Sequence, residues 1–152
     1  MPKSKDGKQR NVTKGSKMAI SPLKYHILVI DDDESMRFML QTKLFQSGFN
    51  VTLAASGSHA MQIFQTPKKF DLILCDLKMP LKSGIDVIRY MKENDIDVPL
   101  IIVTGFPERE KIIAAAQMGI QDVLVKPVRH QELLKMIRSR LEGPGDVESQ
   151  AS

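Results

Sequence analysis

The chain has one cysteine, no tryptophan and only 5% aromatic residues among 152. A single thiol excludes an internal disulfide framework and any zinc site built from several cysteines. It fits a reducing, cytoplasmic setting. Long apolar runs are missing too; stretches such as Leu100 to Val103 are far too short to cross a bilayer. The basic N-terminal stretch is not followed by an apolar segment, so it does not read as a secretory signal. No Gly-x-x-x-x-Gly-Lys loop occurs, which removes nucleotide hydrolases of that type. What remains is ordinary globular usage, 42% hydrophobic and 26% charged, in about one domain's length of chain.

The net charge of +4 is unevenly placed. Residues 1–24 hold seven Lys/Arg and a single acid, Asp6, and residues 143–152 hold only Asp146 and Glu148 as charged groups. Between them, basic and acidic residues balance at fifteen each. The positive charge therefore belongs to the tail, and it gives no argument for a nucleic-acid-binding fold. Residues 1–24 are rich in Lys, Ser, Gly and Pro without apolar periodicity, and a disordered basic tail is expected there. Residues 143–152 read as a flexible C-terminal tail. Residues 25–142 are long enough for one good core.

This middle portion alternates. Short apolar runs predict strands at His26–Ile30, Val51–Ala54, Leu72–Cys75, Leu100–Val103 and Val123–Val125. Helical spacing predicts helices at Glu34–Gln46, Ser58–Gln65, Gly84–Glu93, from Pro107 in a first turn to Met118, and at His130–Leu141. The strands are nearly continuous apolar runs, as expected of a parallel sheet covered on both faces. Five βα units in series with right-handed crossovers give an α/β fold: a three-layer, doubly wound, five-stranded parallel sheet with helices on both faces.

In such folds the site lies outside the carboxyl ends of the strands. The first strand ends in Asp31, Asp32 and Asp33, the third in Asp76, the fourth in Thr104, and the fifth in Lys126 followed by Pro127. Carboxylates brought this close repel and need a counter-charge. A hard divalent cation meets that need, and Mg²⁺ held by a few carboxylates plus waters is the usual solution. Its open coordination positions favour a phosphoryl ligand.

The motifs are Leu28-Val-Ile-Asp-Asp-Asp-Glu-Ser-Met-Arg37, Asp76-Leu-Lys-Met-Pro80 with Gly84, Ile102-Val-Thr-Gly105, and Val125-Lys-Pro127. Each is weak alone. Together, in this order and each at a strand end, they resemble the receiver domain of bacterial two-component response regulators over residues 25–142. The resemblance implies a flavodoxin-like strand order, 2-1-3-4-5. It implies that Asp76 is the phospho-acceptor, a carboxylate nucleophile forming an acyl phosphate. Asp32 matches the direct Mg²⁺ ligand, Asp31 the acid acting on the metal mainly through water, and the Lys78 backbone carbonyl a third protein ligand. Lys126 matches the lysine that pairs with the phosphoryl oxygens, and Thr104 the switch hydroxyl. The Lys126–Pro127 bond is cis in the family. The implied partners are a histidine kinase or histidine phosphotransfer protein and a downstream protein that reads the face of the fourth helix, fifth strand and last helix. A homodimer on phosphorylation is a further implied outcome.

The chain departs from the family pattern at three places. Val123 stands where the fifth strand usually carries Tyr or Phe, so coupling through an inward-turning ring must be weaker or different here. Lys78 lies two residues past the acceptor and Phe106 two past Thr104, flanking the route of an attacking water in relatives. A long cation and a bulky ring at these positions are expected to slow hydrolysis of the acyl phosphate.

Plainer roles compete. Asp33 reads first as a helix N-cap, and Glu34 as a first-turn complement to the helix dipole. Asp76 alone could be a structural acceptor, Thr104 a cap, and Lys126 a solvated cation. Cys75 reads as a small buried core residue whose thiol pKa its neighbour Asp76 would raise. The methionines read as core filling, and His26, His59 and His130 lack ligand spacing.

Other functional classes also compete. Aspartate-nucleophile phosphatases use Asp-x-Asp after the first strand, and Asp76-Leu-Lys lacks the second acid. A non-phosphorylated receiver-like scaffold would keep the fold for binding only. The basic tail could bind nucleic acid weakly and in a salt-sensitive way. No DNA-binding helix pair or catalytic domain follows Leu141. Output is therefore expected through protein contact, or through a domain outside this chain if it is a fragment of a larger regulator or hybrid kinase.

Overall fold

The computed structural model describes residues 25–143. The expectations for residues 1–24 and 144–152, tail binding included, lie outside the described residues. The elements are β1 (His26–Ile30), α1 (Glu34–Gln46), β2 (Asn50–Ala54), α2 (Gly57–Phe64), β3 (Leu72–Cys75), α3 (Gly84–Glu93), β4 (Leu100–Thr104), α4 (Arg109–Gln117), β5 (Val123–Val125) and α5 (His130–Glu142). All strands are parallel and lie in the order β2-β1-β3-β4-β5.

The apolar runs explain this order. Along β1, Ile27 and Val29 face one core while Leu28 and Ile30 face the other. Strands β3 and β4 divide in the same way: Leu72, Leu74, Ile101 and Val103 on one side, Ile73, Cys75, Leu100 and Ile102 on the other. Side chains alternate across a strand, so a run apolar at every position needs cover on both faces. Helices α1 and α5 supply one cover through Leu40, Leu44, Leu133 and Ile137. Helices α2, α3 and α4 supply the other through Ala60, Val87, Ile88, Met91 and Ala115. The edge strands are less buried, as edges must be: β2 and β5 lie half in solvent, while β3 and β4 are wholly enclosed.

Local chemistry fixes the element ends. The Asp33 carboxylate caps α1, accepting from the Ser35 and Met36 amides. Ser83 and Asp86 form a reciprocal capping box on α3. Helix α2 begins one residue earlier than its spacing suggests, because the Ser56 hydroxyl caps it by accepting from the His59 amide. Helix α4 begins later than expected. Pro107 is not in its first turn: the Phe106 carbonyl accepts the Glu108 amide at 2.8 Å, Glu108 stays extended with ψ 127°, and the helix opens at Arg109. Gly119, with φ +92°, follows the end of α4 in the left-handed region that glycine tolerates.

Candidate functional site at the carboxyl edge of the sheet

The carboxyl ends of β1, β3, β4 and β5 come out on one edge and surround a cleft of about 590 Å³ lined by Asp32, Asp76, Lys78, Phe106 and Lys126 among others. The strand register delivers these groups. Ile30 pairs with Cys75, so Asp31 and Asp76 leave adjacent strands at one level. Thr104 pairs with Val125, so Lys126 follows at the same edge.

Asp31 is only 2% exposed and Asp76 only 6%. The Asp31 Oδ1 accepts the Asp33 amide at 2.9 Å, and its Oδ2 accepts from Lys126 Nζ at 2.7 Å. The Asp76 Oδ1 accepts the Lys78 amide at 3.1 Å, and its Oδ2 accepts from the same Lys126 Nζ at 3.0 Å. Lys126 is thus a bridge between two buried carboxylates rather than a solvated cation. The Lys126–Pro127 peptide is cis. Asp32 is exposed at the cleft. Asp31, Asp32 and Asp76 each offer a carboxylate oxygen within 4.8 Å of the others, a set that could hold a metal ion.

The electrostatics agree with a cleft short of positive charge. Burial pushes the Asp31 carboxyl above its usual range, against the lowering effect of the Lys126 and Asp33 hydrogen bonds. Burial alone would lower the Lys126 ammonium; hydrogen bonds to Asp31 and Asp76, with their charges, outweigh it and hold the lysine protonated. Among the described residues, Lys126 alone is ion-paired with this set of three acids, and hard oxygen donors in excess are the chemistry that a divalent cation satisfies.

Thr104 is fully buried at the end of β4, and its hydroxyl accepts the Phe106 amide at 3.2 Å. It bonds within its own loop and is neither a helix cap nor a cleft-lining group. Asp33 serves as the α1 cap, as expected. Cys75 is fully buried in the core, its thiol pKa driven up by burial and then by the Asp76 and Asp31 charges. Val123 is half-buried against the α3/α4 side of the core.

Two features escaped the sequence reading. Arg37 Nη1 donates to the Asp31 carbonyl oxygen at 2.8 Å, tying α1 to the acidic strand end. Lys78 Nζ rests 4.0 Å from the centroid of the Phe106 ring. Lys78 and Phe106 each stand out in the sequence, but two residues from different loops show no pairing signal in a linear sequence.

A doubly wound sheet with paired acids and a lysine at its carboxyl edge defines a class of α/β signalling domain. The model of the response regulator receiver domain family matches residues 27–138, and the chain belongs to that family, the receivers of two-component systems. It is 36% identical over 118 residues to the transcriptional regulatory protein ZraR of Salmonella typhimurium, covering 78% of this chain and 26% of that protein. It is 33% identical over 119 residues to the DNA-binding response regulator MtrA of Mycolicibacterium smegmatis, covering 78% and 51%. The chain thus spans between about a quarter and a half of these relatives. The CheY-like response regulator receiver domain protein from Methanospirillum hungatei superposes with a TM-score of 0.73 at 25% identity, over 78% of this chain and 94% of that one. Among the described residues, no helix is long and apolar enough to cross a membrane.

Proposed function

We propose that this chain is a phosphorylation-dependent switch that accepts a phosphoryl group on Asp76. The observation that carries the reading is the single Lys126 ammonium bridging the two buried carboxylates Asp31 and Asp76. A lysine so placed can follow a phosphoryl group added to either acid. Asp76 is the nucleophile, because it lies over the open cleft, whereas Asp31 is enclosed beneath it.

A carboxylate oxygen of Asp76 attacks phosphorus in line. The bond from phosphorus to the donor breaks, and the electron pair leaves with the donor, a phosphohistidine imidazole or a small acyl phosphate. The product is an aspartyl phosphate. Lys126 stays protonated and neutralises charge on the phosphoryl oxygens. Thr104 exchanges its bond to the Phe106 amide for one to a phosphoryl oxygen, which moves the β4–α4 loop. Asp31, Asp32, Asp76 and the Lys78 carbonyl are the groups that would hold Mg²⁺. When bound, the ion supplies positive charge to the acceptor and to the transferring group.

The donor is a histidine kinase or histidine phosphotransfer protein in the cytoplasm. The reader is a protein that binds α4, β5 and α5, where Ile113 and Val125 are 46% and 52% exposed. A second copy of the chain is one such reader. The domain boundaries at residues 25 and 142 belong to this reading. Incubation with Mg²⁺ and acetyl phosphate tests it: one phosphoryl group should be gained in intact mass, and chelation or Asp76→Ala should abolish the gain. A folded wild-type protein that gains nothing from acetyl phosphate or from any histidine kinase would overturn it.

A further inference from the structure

Lys78 in the β3–α3 loop and Phe106 in the β4–α4 loop meet over the acidic cleft. The Lys78 ammonium lies 4.0 Å from the ring centroid, and both residues line the cleft with Asp32, Asp76 and Lys126. The cleft therefore holds two cations in different circumstances. Lys126 is committed to Asp31 and Asp76. Among the described residues, Lys78 makes no ion pair and rests on an aromatic face instead. Its backbone is nonetheless tied to the acceptor, because its amide donates to Asp76 Oδ1 at 3.1 Å. Charge added to Asp76 thus arises next to a cation that is only lightly held.

The ring is placed to register the loss of that cation. Phe106 is 59% exposed, and its amide donates to the buried Thr104 hydroxyl at 3.2 Å. Residues 105–110 are all exposed, and α4 begins without a side-chain cap. Besides the contacts of Phe106 and the Glu108–Lys111 ion pair, little packing therefore holds this loop.

We propose that Lys78 is a second anion-binding cation of the site, parked on Phe106 while Asp76 is a bare carboxylate and transferred to the phosphoryl oxygens once Asp76 carries them, releasing the Phe106 loop. The inference rests on the reading of Asp76 as acceptor. A cation over an exposed ring biases the geometry by about two- to fivefold. A charge-assisted hydrogen bond to a phosphoryl oxygen is worth about tenfold or more. The anion therefore wins the lysine, and no covalent bond changes in the exchange. Thr104 and Phe106 then respond together, since one is hydrogen-bonded to the other and the second loses its cation at the same event.

The chain has no tryptophan, so F106W introduces a single indole beside Lys78. The probe is beryllofluoride with Mg²⁺, a mimic of a carboxylate-bound phosphoryl group; inorganic phosphate with Mg²⁺ is the free-anion arm. Binding is followed by fluorine NMR and the loop by indole emission. Beryllofluoride should change the emission of F106W in step with the bound fluorine signal, and phosphate at equal concentration should not. With the wild-type ring, K78Q should weaken beryllofluoride about tenfold, and K78R should restore most of that loss. In F106W, adding K78Q should shrink the emission change to the part that Thr104 carries through the amide of residue 106. Equal beryllofluoride affinity in wild type and K78Q, or an equal indole response without Lys78, overturns the proposal while leaving the acceptor reading intact. An equal response to free phosphate overturns the dependence on Asp76. No bound fluorine signal in the wild-type chain overturns the acceptor reading and the proposal with it.

Discussion

Lys126 and Asp31 stand 95 residues apart in the chain, and their side chains meet at 2.7 Å beneath the cleft. The lysine shares itself with Asp76 at 3.0 Å, so removing it leaves two buried carboxylates without their cation. Lys126→Met should destabilise the domain by about 2–4 kcal/mol without divalent metal. Added Mg²⁺ should return part of the loss by occupying the same acids. Urea unfolding with and without Mg²⁺ measures both effects. Equal stability of variant and wild type would mean that the bridge carries no weight.

Gly84 opens α3 directly against the acceptor's own backbone. A Cβ built there would lie 2.4 Å from the Asp76 carbonyl oxygen and 2.8 Å from the Leu77 Cα. Both are backbone atoms that cannot swing aside, so Gly84→Ala should cost about 1–3 kcal/mol and displace the acceptor. Its phosphorylation by acetyl phosphate should slow more than that of an equally destabilised core variant, such as Ile137→Val with a second truncation. Stopped samples read by intact mass give the comparison.

The same two loop residues that meet over the cleft should protect the acyl phosphate. Lys78 and Phe106 line the approach to Asp76, and removing the cation and the ring together opens it to water. The double variant Lys78→Asn, Phe106→Glu should lose its phosphoryl group about tenfold faster than wild type, the scale of one charge-assisted contact. Decay of the phosphorylated mass after donor removal measures it. Decay at the wild-type rate would rule out this protection.

His26 makes the fold sensitive to acid at the opposite end of β1. Its Nε2 lies 2.6 Å from the Thr52 hydroxyl, and burial lowers its pKa below the ordinary 6.5, with Lys68 adding to the effect and Asp71 opposing it. The unfolded chain therefore binds a proton at His26 that the folded chain resists. Stability is full above the unfolded pKa and falls as pH drops through about 6.5 toward the lower folded value. Urea unfolding at about pH 7.5 and about pH 5.5 should show this loss, and His26→Asn should reduce it. An unchanged pH dependence in His26→Asn would remove His26 as its source.

Most of the fold is legible in the sequence because the central strands β1, β3 and β4 are apolar at nearly every position. That pattern demands two covered faces and so dictates a parallel, doubly wound sheet. The positions of Asp31, Asp76 and Lys126 follow, since each comes immediately after a strand. Boundaries set by local bonds are less legible. The start of α4 depends on a bond between Glu108 and Phe106, and a proline that favours a first helical turn elsewhere is left in the loop. The orientation of the Thr104 hydroxyl toward its own loop, and the meeting of Lys78 with Phe106, depend on loop geometry that no periodicity encodes. Val123, which leaves β5 without a ring, is legible directly in the sequence.

The central claim is that Asp76, and neither of the neighbouring acids, takes the phosphoryl group. Borohydride reduction tests it directly, because it converts an aspartyl phosphate to homoserine and leaves free carboxylates untouched. The protein is treated with Mg²⁺ and acetyl phosphate, reduced, digested and sequenced by mass spectrometry. Homoserine at position 76 alone, absent without Mg²⁺, is the predicted result. Homoserine at Asp31 or Asp32, or at no position in a folded sample, would contradict the account.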